Sequence, residues 1–206
     1  YKTFIKAALH PDNPRRALTL EAIKKELTQM LLLGVFKTIK FEEIPEKFRS
    51  EIIYSMLFLK DKYLANGEFE KTKARLAARG DMQVGNLFNE ESSSPTVNMI
   101  SIFIAISIAV KHKAFIRVSD VPGAFLHAPL EVGDEIFMKL PKECEELWLE
   151  LSGQERGEYE HHDKGIYVKL SKALYGLRQA SALWYDVLKK FLSLIHISEP
   201  TRHLRI

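Results

Sequence analysis

The sequence has a single cysteine and lacks any long apolar run. Cys144 is the only cysteine among 206 residues, which excludes an internal disulfide framework and a cysteine-based zinc site and is typical of a reducing compartment. The most apolar stretch, residues 99–110, is 12 residues long and contains two serines, whereas a membrane-spanning helix needs about 20 residues. We therefore expect a buried helix there and no membrane partner.

The sequence also has little net charge. Lysine and arginine number 30 and aspartate and glutamate 27, which leaves a net charge of +3. This balance excludes a protein that is basic over its whole surface, but it permits one locally basic groove. With 46% apolar and 28% charged residues, the composition is globular and excludes a wholly disordered, collagen-like or coiled-coil chain. Because the chain opens with tyrosine rather than methionine, we expect it to be a fragment of a longer protein.

Hydrophobic spacing predicts three helices. The first covers residues 19–33, with Thr19 as its N-cap and Gly34 closing it in a left-handed conformation. The second covers residues 94–113, begins with a serine and a proline, and is apolar on nearly every side, so it should pack in the interior. The third covers residues 178–192.

Alternation of apolar residues and turn residues predicts the strands. An Asn-Gly pair indicates a hairpin turn between the second and third of them. The predicted strands cover residues 35–41, 53–60, 69–79, 114–121, 135–141 and 166–170. Residues 42–52 and 142–163 are expected to form a polar and an acidic loop. Helices and strands of this kind predict an α+β fold in which helices pack on a mostly antiparallel sheet.

The predicted hairpin is strongly basic. Alternation places four cations on one side of its second strand: Lys71, Lys73, Arg75 and Arg79. The more common explanation of such a row is a solvated strand face. The alternative is a cationic wall that faces phosphates.

Asp120 lies near the end of the predicted strand 114–121. It could cap a short helical turn over residues 122–128. It could also be a metal ligand, since a carboxylate followed by a backbone carbonyl is a hard oxygen site of the type that Mg²⁺ uses. The residues alone leave both interpretations open.

Five short segments occur in an order that is specific when taken together. They are residues 73–80 (KARLAARG), 91–97 (ESSSPTV), 119–130 (SDVPGAFLHAPL), 136–141 (IFMKLP) and 172–180 (KALYGLRQA), the last followed by Trp184 and Tyr185. These segments resemble the reverse transcriptase domain of copia-type LTR retrotransposons, whose motifs are KARLVARG, ETFSPV, DVKTAFLNG-x-L, IYM…P and KSLYGLKQAP. The resemblance covers roughly residues 18–192.

The resemblance implies the fingers and a partial palm of a right-hand polymerase. The implied activity is that of an RNA-directed DNA polymerase, a nucleotidyltransferase that acts within the pol polyprotein of a transposable element. The implied partners are an RNA or DNA template with its primer, dNTPs, two Mg²⁺ ions and the other parts of the polyprotein. The implied location is intracellular and cytoplasmic, in a virus-like particle.

Composition and the resemblance together predict a division of the chain into four parts. Residues 1–17 would be a loose lead-in, 18–114 a fingers-like part with the basic hairpin, 115–192 a partial palm, and 193–206 a non-native tail. The tail resembles translated sequencing-library adapter, and we expect it to break the helical pattern.

Site residues follow from the matching motif positions. Asp120 matches the first of three catalytic aspartates that hold two Mg²⁺ ions, and the carbonyl of Val121 would be a further metal ligand. Phe125 matches the aromatic residue under the sugar of the incoming nucleotide.

Four further residues match nucleotide-binding positions. Lys73 and Arg75 match the cations that grip the triphosphate. Tyr175 and Gly176 match the segment that lines the nucleotide pocket; a plain strand-to-helix turn is the alternative for these two residues.

One departure from the family pattern is important. The second and third aspartates of the family form an Asp-Asp pair downstream of the YGL segment, and this sequence contains no Asp-Asp pair. We therefore expect the chain to be inactive by itself. The alternative to a polymerase fragment is a catalytically inactive retroelement remnant or a nucleic-acid-binding module.

Overall fold

The computed structural model describes residues 2–83, 94–131, 133–163 and 165–198. The helices in these ranges are α1 (Lys2–Ala8), α2 (Arg16–Leu33), α3 (Glu46–Arg49), α4 (Met99–Lys111), α5 (Lys142–Ser152), α6 (Arg156–Tyr159) and α7 (Ala180–Ser198). The strands are β1 (Phe36–Ile39), β2 (Ile53–Tyr63), β3 (Phe69–Ala78), β4 (Phe137–Lys139) and β5 (Tyr167–Leu170). Short 3₁₀ turns cover Phe41–Glu43, Gly80–Met82 and Ala124–His127.

These strands form one sheet in the order β1-β5-β4-β2-β3. Neighbouring strands run antiparallel, except that β2 and β4 are parallel. The predicted α+β class is therefore confirmed, and five of the six predicted strands are present with somewhat different ends. β3 lies at one edge of the sheet, which leaves its outer side available to other parts of the chain.

Helix α2 supplies one side of the core. Its residues Ile23, Leu27 and Met30 have no exposed surface, and they belong to one core cluster with Leu76 of β3. Gly34 follows the helix with φ of 62°, and its N–H bonds to the last turn of α2. The predicted end of this helix is thus confirmed.

The beginning of the chain differs from the prediction. Residues 1–17 are not simply a loose lead-in, because α1 lies within them and Ile5 is only 4% exposed. Thr19 is not an N-cap, because α2 begins before it and its hydroxyl donates to the Arg15 carbonyl at 3.1 Å. Thr19 is buried one turn before Ile23, so packing rather than capping accounts for this residue.

Residues 142–163 are not a loop throughout, as the sequence predicted. They contain α5 and α6. Trp148 of α5 packs on Phe36 of β1 with ring centroids 4.4 Å apart. Arg156 forms ion pairs with three glutamates of the same segment, which offset part of the acidic charge that indicated a loop.

The predicted helix over residues 94–113 is shorter and is not buried. It begins at Met99, where the Asn98 side chain accepts a hydrogen bond from the Ile100 N–H at 2.9 Å. No residue of α4 is buried by the described parts of the chain, and Phe103 is 59% exposed. An apolar pattern indicates a surface that favours burial, but it does not specify what covers that surface.

Residues 114–121 do not form the strand that the sequence predicted. They have no regular secondary structure and are exposed throughout. A strand needs a hydrogen-bonding neighbour, and none of the strands in the described ranges pairs with this segment.

Helix α7 is longer than predicted. It begins at Ala180 and runs to Ser198. The expected break of the helical pattern in the tail is therefore wrong for residues 194–198. Residues 199–206 lie outside the described ranges, as do residues 91–93 of the second resembling segment. The non-native origin of the tail stays a prediction. Among the described helices, none combines the length and the apolar character that crossing a bilayer requires.

Candidate nucleotide-binding site

The outer edge of β3 is occupied by two other parts of the chain. The Leu76 N–H donates to the Glu26 carboxylate of α2 at 3.3 Å, and the Ala78 N–H donates to the Tyr175 carbonyl at 2.7 Å. Unpaired edge N–H groups are thereby satisfied. These two bonds bring α2 and residues 172–180 side by side along the strand that carries Lys73 and Arg75.

Two glycines allow this close approach. Gly176 has φ of 87°, and a Cβ atom there would lie 2.1 Å from the Ala78 carbonyl oxygen. A Cβ atom on Gly80 would lie 2.1 Å from the Gly176 carbonyl oxygen. Only glycine fits such positions without moving the backbone. Gly176 therefore fixes the contact between residues 73–80 and residues 172–180.

Gln83 strengthens the same contact. Its side-chain oxygen accepts the Arg178 N–H at 3.0 Å, and its amide group donates to the Gln179 side chain at 3.2 Å. The side chain is buried, and both of its ends are satisfied. Gln83 thus joins the chain after β3 to the turn that precedes α7.

Tyr175 lies at the centre of the candidate site. The Arg75 guanidinium is 4.3 Å from the centroid of its ring, and the Phe125 ring centroid is 5.5 Å away. Burial raises the pKa of the Tyr175 phenol, the Arg75 charge opposes this, and the carboxylates of Glu26 and Asp120 add to the rise. The structure therefore brings Arg75 and Phe125 into contact with Tyr175, and Asp120 lies close enough to raise the pKa of its phenol.

Lys73 lies near this group on an exposed cationic face. It is two residues from Arg75 on the same side of β3, and the register pairs it with Lys60 across the hairpin. The positive charge of Lys62 is the main cause that lowers the pKa of Lys73, and burial and Lys71 add to it. Like charges held this close favour binding of a polyanion, which relieves their repulsion.

The predicted row of cations on β3 is correct only in part. Lys71, Lys73 and Arg75 belong to β3 and are exposed. Arg79 lies beyond the end of the strand and pairs with Asp81 at 2.6 Å, so it does not extend the row.

Asp120 and Val121 are exposed, and Asp120 is not a helix cap. The 3₁₀ turn after them begins at Ala124 with Gly123 at its N-cap and no side-chain cap. The Asp120 carboxylate and the Val121 carbonyl are hard oxygen donors of the kind that Mg²⁺ takes, together with waters and substrate phosphates. These two residues fit the ion in kind but supply only part of its coordination, and the described residues contain no cluster of three or more metal-ligating side chains.

Sequence reasoning missed Glu26, Gly80 and Gln83. A signal existed for Glu26, because it falls between Ile23 and Leu27 on the apolar stripe of α2, where a carboxylate needs a partner. Gly80 and Gln83 gave no such signal, since their roles depend on which segment lies opposite.

Comparison with known proteins decides the family. The profile of the family described as reverse transcriptase (RNA-dependent DNA polymerase) matches residues 38–203. The chain belongs to this family. It is also 28% identical over 174 residues to the Transposon Ty1-DR5 Gag-Pol polyprotein of Saccharomyces cerevisiae, and equally to Ty1-DR1. These matches confirm the copia-type resemblance of the sequence.

The Ty1 matches cover most of this chain but only a small part of each relative. Each Ty1 match covers 84% of this chain but only 8% of the length of the relative. No solved structure is significantly similar to the chain. The resemblance judged from the motifs ended at about residue 192, whereas the family profile continues to residue 203.

Proposed function

We propose that the chain is the nucleotide-binding portion, fingers and partial palm, of a retrotransposon RNA-directed DNA polymerase. The observation that carries the proposal is the packing of Arg75 and Phe125 on Tyr175, whose phenol pKa the charge of Asp120 also raises. A cation and aromatic surfaces lie at one place with a carboxylate within electrostatic reach, and these are the groups that a nucleoside triphosphate and its metal ion require.

Lys73 and Arg75 would bind the triphosphate. Both side chains are on the exposed side of β3, and charge-assisted contacts to phosphate oxygens give binding and neutralise charge that develops in the transition state. Stacking on Tyr175 limits the motion of Arg75, so less conformational entropy is lost when phosphate binds.

Phe125, Tyr175 and Gly176 would form the side of the pocket that receives the sugar. The two rings lie 5.5 Å apart between centroids, which is typical of a stable aromatic pair. A ring held under the sugar would exclude a 2′-hydroxyl sterically and so favour dNTPs. Gly176 would act by holding the Tyr175 backbone against β3.

Asp120 and the Val121 carbonyl would hold Mg²⁺. In the complete domain two ions are expected, which supply a lowered pKa for the primer 3′-hydroxyl and stabilisation of the leaving pyrophosphate. Asp120 lies close enough to Tyr175 for its charge to affect the pKa of that phenol, so metal-bound phosphates and the Arg75 guanidinium would share one site.

The proposed partners are an RNA or DNA template with its primer and the other parts of a retrotransposon polyprotein, in an intracellular virus-like particle. A second candidate is a nucleic-acid-binding module without catalysis. It is favoured by the exposed lysines of the hairpin, which could hold a nucleic-acid backbone without any pocket.

Nucleotide binding distinguishes the two candidates. We expect the chain to bind a dNTP in competition with inorganic tripolyphosphate, and Lys73→Ala and Arg75→Ala each to weaken binding by about tenfold or more, as for a lost charge-assisted hydrogen bond. Lys47→Ala, which removes an exposed lysine of α3, is the matched control and should have no effect. Equal dNTP affinity in all three variants would refute the proposed site.

A further inference from the structure

Glu26 is a charged residue in an apolar place. It lies on α2 between Ile23 and Leu27, both without exposed surface, and is itself half-buried. Its carboxylate accepts the Leu76 N–H at 3.3 Å. That bond fixes the carboxylate at the outer edge of β3, beside the strand positions that carry the phosphate-binding cations.

The charge of Glu26 acts on residues of the candidate site. The charged and titratable groups that interact electrostatically with Glu26 are Arg75 and Lys73 of β3, Tyr175 in the neighbouring turn and Cys144 of α5. Burial raises the pKa of the Glu26 carboxyl, while the Leu76 N–H and the two cations oppose the rise. The net effect is a raised pKa, so burial of the ionised Glu26 carboxylate lowers the free energy of unfolding.

The position of Arg75 determines what this charge does. The guanidinium lies on the Tyr175 ring at 4.3 Å, and Glu26 acts on it through space. Arg75 is therefore oriented by its stacking on Tyr175 and not by the negative charge of Glu26. The effect of that charge on a bound polyphosphate is repulsion, which partly cancels the attraction of Arg75 and Lys73.

We propose that Glu26 is a built-in counter-charge that limits the affinity of the Lys73–Arg75 site for polyphosphate. The inference rests on the proposed nucleotide site and adds its regulation. Without the Glu26 charge, the site would hold triphosphate and pyrophosphate more tightly. With Glu26 ionised, binding is weaker and release is faster; when Glu26 is protonated, the affinity increases.

The test separates the charge of Glu26 from its hydrogen bond. Glu26→Gln keeps an oxygen that can accept the Leu76 N–H but has no charge. Affinity for inorganic tripolyphosphate is measured by calorimetry in metal-free buffer between pH 5 and pH 8. At pH 8 we expect Glu26→Gln to bind about threefold to tenfold more tightly than the wild type, as for one nearby charge in a partly screened site.

The pH dependence provides the readout that a structural role would not change. The ratio of the two affinities cancels protonation of the ligand, and it should fall towards one as the pH drops and Glu26 of the wild type becomes neutral. Glu21→Gln, which removes an exposed carboxylate of the same helix, is the control and should bind like the wild type.

The outcomes distinguish this inference from the proposed function. If Lys73→Ala and Arg75→Ala weaken binding but Glu26→Gln binds equally or less tightly at pH 8, the counter-charge is refuted and the nucleotide site stands. If those two variants bind tripolyphosphate like the wild type, the proposed site is refuted and the inference with it.

Discussion

The Arg75 guanidinium lies 4.3 Å from the centroid of the Tyr175 ring. This contact joins a cation of the basic hairpin to the turn before α7, 100 residues further along the chain. It connects two of the five segments that resemble the copia-type family.

Tyr175→Ala should weaken dNTP binding by about twofold to thirtyfold. The loss corresponds to a cation–π contact of about 0.5–2 kcal/mol, which orients Arg75. Tyr175→Phe keeps the ring and should bind nearly like the wild type. Equilibrium titration with a fluorescent dNTP analogue measures both variants, and equal affinity of the alanine variant and the wild type would show that the stack has no role in binding.

Gly176→Ala should lower the free energy of unfolding by about 2–4 kcal/mol. The new methyl group would meet the Ala78 carbonyl oxygen at 2.1 Å, and the positive φ of 87° adds strain. Gly157→Ala is the matched control, because this glycine lies in α6 with nothing within 4 Å of its added Cβ. That change should be neutral or slightly stabilising. Urea unfolding measures both, and similar stabilities would contradict the close packing at Gly176.

Phe125→Ala should reduce discrimination between dNTP and rNTP. Removal of the ring opens space at the sugar, so rNTP affinity should rise relative to dNTP affinity by about tenfold, or ~1.4 kcal/mol. Phe125 is only half-buried, so the variant should still fold. Competition binding with matched dNTP and rNTP gives the ratio, and an unchanged ratio in a folded variant would remove Phe125 from the sugar site.

Glu26→Gln should stabilise the fold at neutral and alkaline pH. Burial raises the pKa of this carboxyl in the folded chain, so the ionised form is favoured in the unfolded chain and the wild type loses stability as the pH rises above about 4.3. The gain in the variant should reach its full size above the folded-state pKa and vanish at lower pH. Unfolding curves from pH 4 to pH 8 test the sign; a variant less stable than the wild type at pH 8 would contradict it.

Local patterns predicted the elements whose causes are local. The hairpin of β2 and β3 follows from alternation and from a turn in which Gly67 has φ of 86°. The end of α2 follows from Gly34. These features depend on neighbouring residues in the chain, so the sequence alone was sufficient.

Long-range contacts account for what the sequence did not predict. Residues 114–121 have the apolar pattern of a strand but no partner strand among the described residues. The charge of residues 142–163 indicated a loop, but Arg156 pairs with three of the glutamates and Trp148 packs on Phe36 of the sheet. The contacts of Tyr175 with Arg75 and Phe125 depend on the docking of a distant turn on β3, which no local pattern encodes.

The effect of Mg²⁺ on dNTP affinity tests most directly the central claim that Asp120, Lys73 and Arg75 belong to one nucleotide-binding site. If Asp120 holds Mg²⁺ beside the proposed phosphate-binding cations Lys73 and Arg75, Mg²⁺ should strengthen dNTP binding to the wild type. Asp120→Asn should abolish this strengthening, because asparagine keeps the shape of the side chain but loses the charge that would hold the ion. Asp186→Asn, at an exposed aspartate of α7, should behave like the wild type. Equal strengthening by Mg²⁺ in the wild type and in Asp120→Asn would contradict the account.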